Sequence, residues 1–311
     1  MAKLFISTLL LLLSITSAVF IGPAEISFDS PLWQTLIIDI RLPRVLLALF
    51  CGAGLAVCGA VLQNVTGNSL AEPYLFGVVA GAGLGATIVS ILLQDQAAFL
   101  LPIAAFIGAL LAVSLVAIMA VSSRQGGIAT LILSGVAVSF MLSSISQFLL
   151  FSADPFASVQ VMFWLMGSLA RAELWQLAWI APVVLIGTIL VLLVHRQLDA
   201  LVLGDEQAAA LGVPVIKLRL LMLTICAAIT ATLVAYCGGI AFVGLMIPHI
   251  VRRLIAASTA YLIIGSAVFG AIFMVWVDVL ARSLFGGQEI PVGVITSVIG
   301  SLFFLGLMYK K

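Results

Sequence analysis

The sequence predicts an all-α membrane protein: a polytopic bundle of about ten transmembrane helices in a single transmembrane domain, residues 1–311. Three observations carry this reading. Hydrophobic residues make up 64% of the chain and charged residues only 8%, against about 25% charged in ordinary soluble domains. Apolar runs such as Leu4 to Ile21, Ile128 to Phe151 and Leu174 to Val194 reach or approach the roughly 20 residues that cross a hydrocarbon core. These runs lack the period-two alternation of a membrane β-barrel, so their backbone must satisfy its hydrogen bonds within each segment, as helices.

In order, the apolar windows are 3–22, 43–64, 74–93, 98–121, 128–151, 173–195, 217–236, 241–254, 260–284 and 291–309. The first, led by Lys3, has the look of a signal peptide, but no clear small-residue cleavage site follows and a retained helix is expected. The third carries Gly77, Gly81 and Gly85 at four-residue spacing. That pattern lines one face with near-bare backbone, for close helix packing or for a smooth passage. In the ninth, Asp278 precedes Arg282 by four residues, so the two can pair on one helix face; a transport role for the carboxylate is the alternative.

Between the sixth and seventh windows, Asp199 to Pro214 is polar. Asp205, Glu206 and Gln207 lead, Ala208 to Leu211 follow, and Gly212 and Pro214 close the segment. An acidic first turn, a helix-forming middle, a glycine stop and a proline beyond it specify a short helix. Its shallow alanine face suits a partner's groove, whereas a solvated connector is the plainer reading.

With ten crossings the termini share a side. Placing them in the cytoplasm puts Lys3, Arg124, Arg196, Lys217, Arg219, Arg252, Arg253, Lys310 and Lys311 inside and only Arg41, Arg44, Arg171 and Arg282 outside. Nine of the thirteen basic residues inside favours that orientation. Arg41, Arg44 and Arg282 then oppose the bias at outer helix ends. They could meet carboxylates of a docking protein, or serve lipid phosphates or the nearby Asp39 and Asp278.

Several chemistries have no residues to carry them. None of the four lysines follows a glycine, so there is no phosphate-binding GxxxxGK[ST] loop, and HExxH and GxSxG patterns are missing. Cys51, Cys58, Cys226 and Cys237 form no CxxC pair and read as small packing residues. His195 and His249 fall near basic helix ends, where a cap or a headgroup contact is expected before metal binding. No catalytic or metal-ligating set is assigned, and net charge +1 gives no global field for nucleic acid.

Six segments together resemble the FecCD-type permeases, membrane subunits of type II ATP-binding-cassette importers for iron-siderophores, haem and cobalamin. They are RLPRVLLALFCGAGLAVCGAVLQ (41 to 63), GNSLAEPYLFGVVAGAGLG (67 to 85), FWLMGSLARAELW (163 to 175), LGDEQAAALGVPV (203 to 215), GGIAFVGLMIPHIVRRL (238 to 254) and EIPVGVITSVIGSLFFLGLM (289 to 308). The resemblance implies a homodimer or paired permease in a bacterial or archaeal cytoplasmic membrane. Two separate ATPase subunits inside would hold ATP and magnesium, and a periplasmic or lipid-anchored binding protein would dock outside. The chain itself would be no enzyme and would need no cofactor of its own.

By the same resemblance, coupling helices at about 199–214 would seat in the ATPase, using Leu203, Gly204, Asp205, Glu206, Ala210, Leu211, Gly212 and Val213. Arg41, Arg44 and Arg282 match positions that meet glutamates of the binding protein in the family's cobalamin importers. Ser69 stands where members often have proline, and many members carry a longer N-terminal extension; both departures bear on the substrate class. The expected function is a translocation pathway for an iron chelate, such as a siderophore or haem, or for cobalamin. An ion-coupled secondary transporter working without an ATPase is the alternative.

Overall fold

Helices account for every extended element among the described residues of the computed structural model, which are 2–24, 32–93, 97–122, 128–255, 258–285 and 288–309. Arg124, Lys310, Lys311 and the side chain of Lys3, used above for orientation, lie outside the described residues. In chain order, α1 (Ala2–Phe20) is followed by α2 (Leu32–Gln34), a π-helical stretch (Thr35–Arg41) and α3 (Leu42–Thr66). A 3-10 turn (Pro73–Phe76) leads to α4 (Val78–Leu92), α5 (Ala97–Ser122), α6 (Ile128–Phe151) and α7 (Pro155–Leu165). Then come α8 (Leu174–Leu193), α9 (His195–Val202), α10 (Asp205–Ala210), α11 (Val215–Cys237), α12 (Val243–Leu254), α13 (Thr259–Ser283) and α14 (Val292–Met308).

Six helical segments among the described residues are long and apolar enough to cross a membrane: Leu32–Thr66, Phe99–Ser122, Ile128–Phe151, Leu174–Leu193, Val215–Cys237 and Thr259–Ser283. Ile6–Phe20, Val78–Leu92, Pro155–Leu165 and Val292–Met308 are shorter apolar helices. Large apolar side chains such as Phe99, Leu111, Leu133, Phe140 and Phe148 point outward. Lipid is the solvent that tolerates that surface. Pro102 and Pro182 sit inside α5 and α8, as membrane helices allow.

One window and one helix differ from the sequence reading. The window at 241–254 forms α12, whose twelve residues span about 18 Å, short of the hydrocarbon thickness. Gly238 and Phe242 both hold left-handed φ values, 71° and 69°, and delay its start. The helix α7 has no counterpart among the ten windows. Asp154 creates it, its side chain accepting a 2.8 Å hydrogen bond from the amide of Phe156 beside Pro155 at the first turn.

The helices cluster into two compact units, Met1–Ala60 with Gly167–His195 and Ile240–Lys311, and Val61–Met166 with Arg196–Gly239. In the first, α3 lies so close to α13 that a Cβ on Gly52 would stand 2.1 Å from the carbonyl oxygen of Gly270. The same helix meets α12 at Gly59, where a Cβ would stand 1.8 Å from the oxygen of Gly244. Trp276 on α13 donates to Ser14 on α1 at 3.1 Å. His249 packs edge-on against Phe303 of α14, with ring centroids 5.9 Å apart.

In the second unit, Gly81 and Gly85 of α4 face α5, and a Cβ on either would meet a carbonyl oxygen of Gly108 or Ala104 at 2.2 Å. The glycine repeat therefore makes a helix seam, as small-residue spacing predicts. Gly77, the third member, is instead the left-handed residue, φ 79°, that turns the 3-10 segment into α4. Thr87 of α4 and Ser146 of α6 share a buried 2.7 Å hydrogen bond. Val78, Ala82, Ala105, Ala109, Ala231 and Val234 fill the core between α4, α5 and α11.

Candidate functional site

Two clusters of polar side chains stand out, one in each unit. The first gathers the three outer arginines. Asp278 on α13 is 0% exposed, and its Oδ1 accepts from Nε of Arg44 on α3 at 2.6 Å. Its Oδ2 lies 3.2 Å from Nε of Arg282 one turn on, the helix-face pair that the sequence spacing allows. Nη1 of Arg44 donates to Glu289 at 2.7 Å, and Glu289 is the one half-exposed member, its side chain 45% accessible.

The remaining donors go to the end of α1 and to the chain just beyond it. Arg41 donates to the carbonyls of Val19 at 3.2 Å, Phe20 at 2.9 Å and Ala24 at 2.5 Å, and Arg282 donates to Ala18 at 2.6 Å. The last carbonyls of a helix have no partner within it, so these guanidiniums act as C-terminal caps. Arg41, Arg44 and Arg282 are thus brought together, as one docking patch requires, but within this chain they are buried and turned onto its own acceptors. Of the readings open from sequence, pairing with Asp278 is the arrangement found for Arg44 and Arg282, whereas Arg41 turns to backbone carbonyls. Sequence reasoning missed Glu289 as a partner, although it opens the EIPVG segment.

The second cluster is the polar connector. It forms two short helices, α9 and α10, joined by Leu203 and Gly204. Asp205 and Glu206 occupy the first turn of α10, favourably for the helix dipole. The C-terminal end closes as a Schellman turn: the amide of Val213 donates to Ala208 at 3.0 Å and that of Gly212 to Ala209 at 2.9 Å, with φ 81° at Gly212. Only Ala208 is buried in α10. Leu203, Gly204, Asp205, Glu206, Ala210, Leu211 and Gly212 are all exposed and Val213 is half-buried. Leu211 is 66% exposed, an apolar side chain displayed at the end of a polar helix.

Asp205 also makes a bidentate bond to Arg219 on α11, Nη1 to Oδ2 at 2.8 Å and Nη2 to Oδ1 at 2.6 Å. Nothing in the residue spacing announced this pair, which lies fourteen positions apart across a turn. Both clusters are ion-pair and helix-cap networks made within this chain. Among the described residues, no three His, Cys, Asp or Glu side chains gather as metal ligands. Cys51, Cys58, Cys226 and Cys237 are buried and form no disulfide among the described residues, in keeping with packing.

Comparison with known proteins now bears on this geometry. A cobalamin import system permease protein, BtuC of Halobacterium salinarum, is 38% identical over 278 residues, covering 89% of this chain and 74% of its own length. The hemin transport system permease protein HmuU of Yersinia pestis is 36% identical over 325 residues, covering 99% of this chain and 95% of its own. A solved inward-facing transporter of the metal-chelate ABC type superimposes with a TM-score of 0.91 at 32% identity, covering 100% of this chain and 99% of its own. The model of the FecCD transport family matches residues 4–310, and the chain belongs to that family as a multi-pass membrane permease.

Proposed function

We propose that the chain forms the translocation pathway of an ATP-driven importer for an iron chelate, siderophore or haem, or for cobalamin. It works as a homodimer or paired permease in a bacterial or archaeal cytoplasmic membrane, with both termini in the cytoplasm. A binding protein delivers cargo outside, and two ATPase subunits inside hold ATP and magnesium. The observation that carries this reading is α10, an exposed helix closed by a Schellman turn, which with its flanking residues presents Leu203, Glu206, Ala210 and Leu211 with little burial of its own. A six-residue helix is unstable alone in water, so its exposed face is best explained by a protein groove that receives it.

Docking outside would use the Arg41, Arg44 and Arg282 cluster. Its guanidiniums already have internal acceptors, so an incoming glutamate would compete with half-exposed Glu289 for Nη1 of Arg44. The cargo class follows from the relatives, whose names specify cobalamin and hemin import. The test is uptake of labelled ferric chelate, haem and cobalamin into proteoliposomes that contain the permease and its cognate ATPase, with binding protein supplied outside. Uptake that needs ATP inside and binding protein outside supports the reading. Uptake driven by an ion gradient with no ATPase present would overturn it.

A further inference from the structure

Among the described residues, the side-chain hydrogen bonds that tie α10 to the rest of its unit go to one residue, which neither the coupling segment nor its exposed face includes. Arg219 sits one turn into α11, its side chain 15% exposed, and grips both oxygens of Asp205 at the first position of α10. Its third nitrogen, Nε, donates at 3.1 Å to the carbonyl of Val65. That carbonyl lies in the last turn of α3, where the helix itself supplies no donor. One planar guanidinium therefore fastens three elements: the start of α10, the start of α11 and the end of α3.

We propose that Arg219 is the positioning residue of the coupling apparatus, a strut through which displacement of α10 reaches the membrane helices. The proposal rests on α10 being the ATPase contact. The planar fork fixes distance and direction together, which a lysine or a single hydrogen bond would not do. Apart from Ala208, no side chain of α10 is buried, so apolar packing alone leaves the helix free to rock. From Arg219 the push continues along α11, whose Ala231 and Val234 are packed in the core shared with α4 and α5. The charge pair is also placed where it can be rebuilt after each stroke, since Asp205 is 50% exposed and Arg219 is not.

The test uses the full-length permease in detergent and the same permease assembled with its ATPase in proteoliposomes. Arg219→Ala and Asp205→Asn should each speed amide hydrogen exchange across residues 205–213 by about tenfold, with no added effect in the double variant. Both should lower uptake per ATP hydrolysed by about tenfold while the ATPase still co-purifies. Asp205 is half-exposed, so Asp205→Asn keeps the test open should Arg219→Ala fail to fold. Arg219→Lys, which retains the charge and loses the fork, should recover only part of the coupling.

Unchanged exchange, additive effects in the double variant, or wild-type uptake per ATP in both single variants would overturn the strut. Leu211→Glu separates this failure from failure of the coupling reading. If Leu211→Glu releases the ATPase while Arg219→Ala stays fully coupled, the strut alone is wrong. If Leu211→Glu retains coupled transport, the assignment of α10 and the strut fall together.

Discussion

Arg44 and Asp278, separated by 234 positions, meet at 2.6 Å with the carboxylate wholly shut away from solvent. The contact ties α3 to α13, and Arg282 approaches the other oxygen of the same carboxylate. A carboxylate so placed is committed to two cations, a poor starting point for a group that must bind and release a coupling ion.

Replacing Asp278 with asparagine should leave buried Arg282 without its counter-charge and Arg44 with only half-exposed Glu289, at a cost of about 3–5 kcal/mol. Thermal unfolding in detergent and the yield of assembled permease should both fall. Full assembly with selective loss of uptake would instead point to an ion-coupled carboxylate.

Glu289→Gln probes the outer edge of the same cluster. Its carboxylate is 45% exposed, so solvent screens the bond to Arg44 and the loss should be under about 1 kcal/mol in the same unfolding assay. If an incoming glutamate displaces Glu289, the variant should bind its binding protein tighter, with a steeper salt dependence in a surface-capture measurement.

Gly52→Ala should destabilise the protein by about 1–3 kcal/mol, because the new methyl lands 2.1 Å from the backbone oxygen of Gly270, which no rotamer can move aside. Gly306→Ala on α14, where nothing lies within 4 Å, is the control and should be silent. Detergent unfolding midpoints of the two variants make the comparison.

Gly212→Ala tests the turn rather than the space. No atom lies within 4 Å of the added carbon, but φ is 81°, a left-handed value that costs an L-residue about 1–2 kcal/mol. The expected outcome is faster hydrogen exchange at Gly212 and Val213, whose amides close the Schellman turn. Global stability should change little, because α10 buries only Ala208.

Local signals made much of this architecture readable. Apolar length fixed α5, α6 and α8 nearly to their ends, because membrane helices obey one dominant constraint. The start and stop of α10 were readable for a different reason: acidic residues, glycine and proline act within a single turn. Long-range partners were not readable. The bond from Arg219 to Asp205 and Val65, the turn of Arg41 toward the end of α1, and the place of Glu289 beside Arg44 depend on chain segments that meet only after packing. Nor does periodicity encode a glycine's job, so Gly77 looked like Gly81 and Gly85 although it turns the chain while they form the seam.

That seam carries a mechanical corollary. Gly81 and Gly108 each leave room for nothing larger than hydrogen beneath the other's oxygen, so sliding α4 along α5 by a fraction of a turn would drive atom into atom. The two helices must travel as one plank, and any gating stroke in this unit has to bend at its rims.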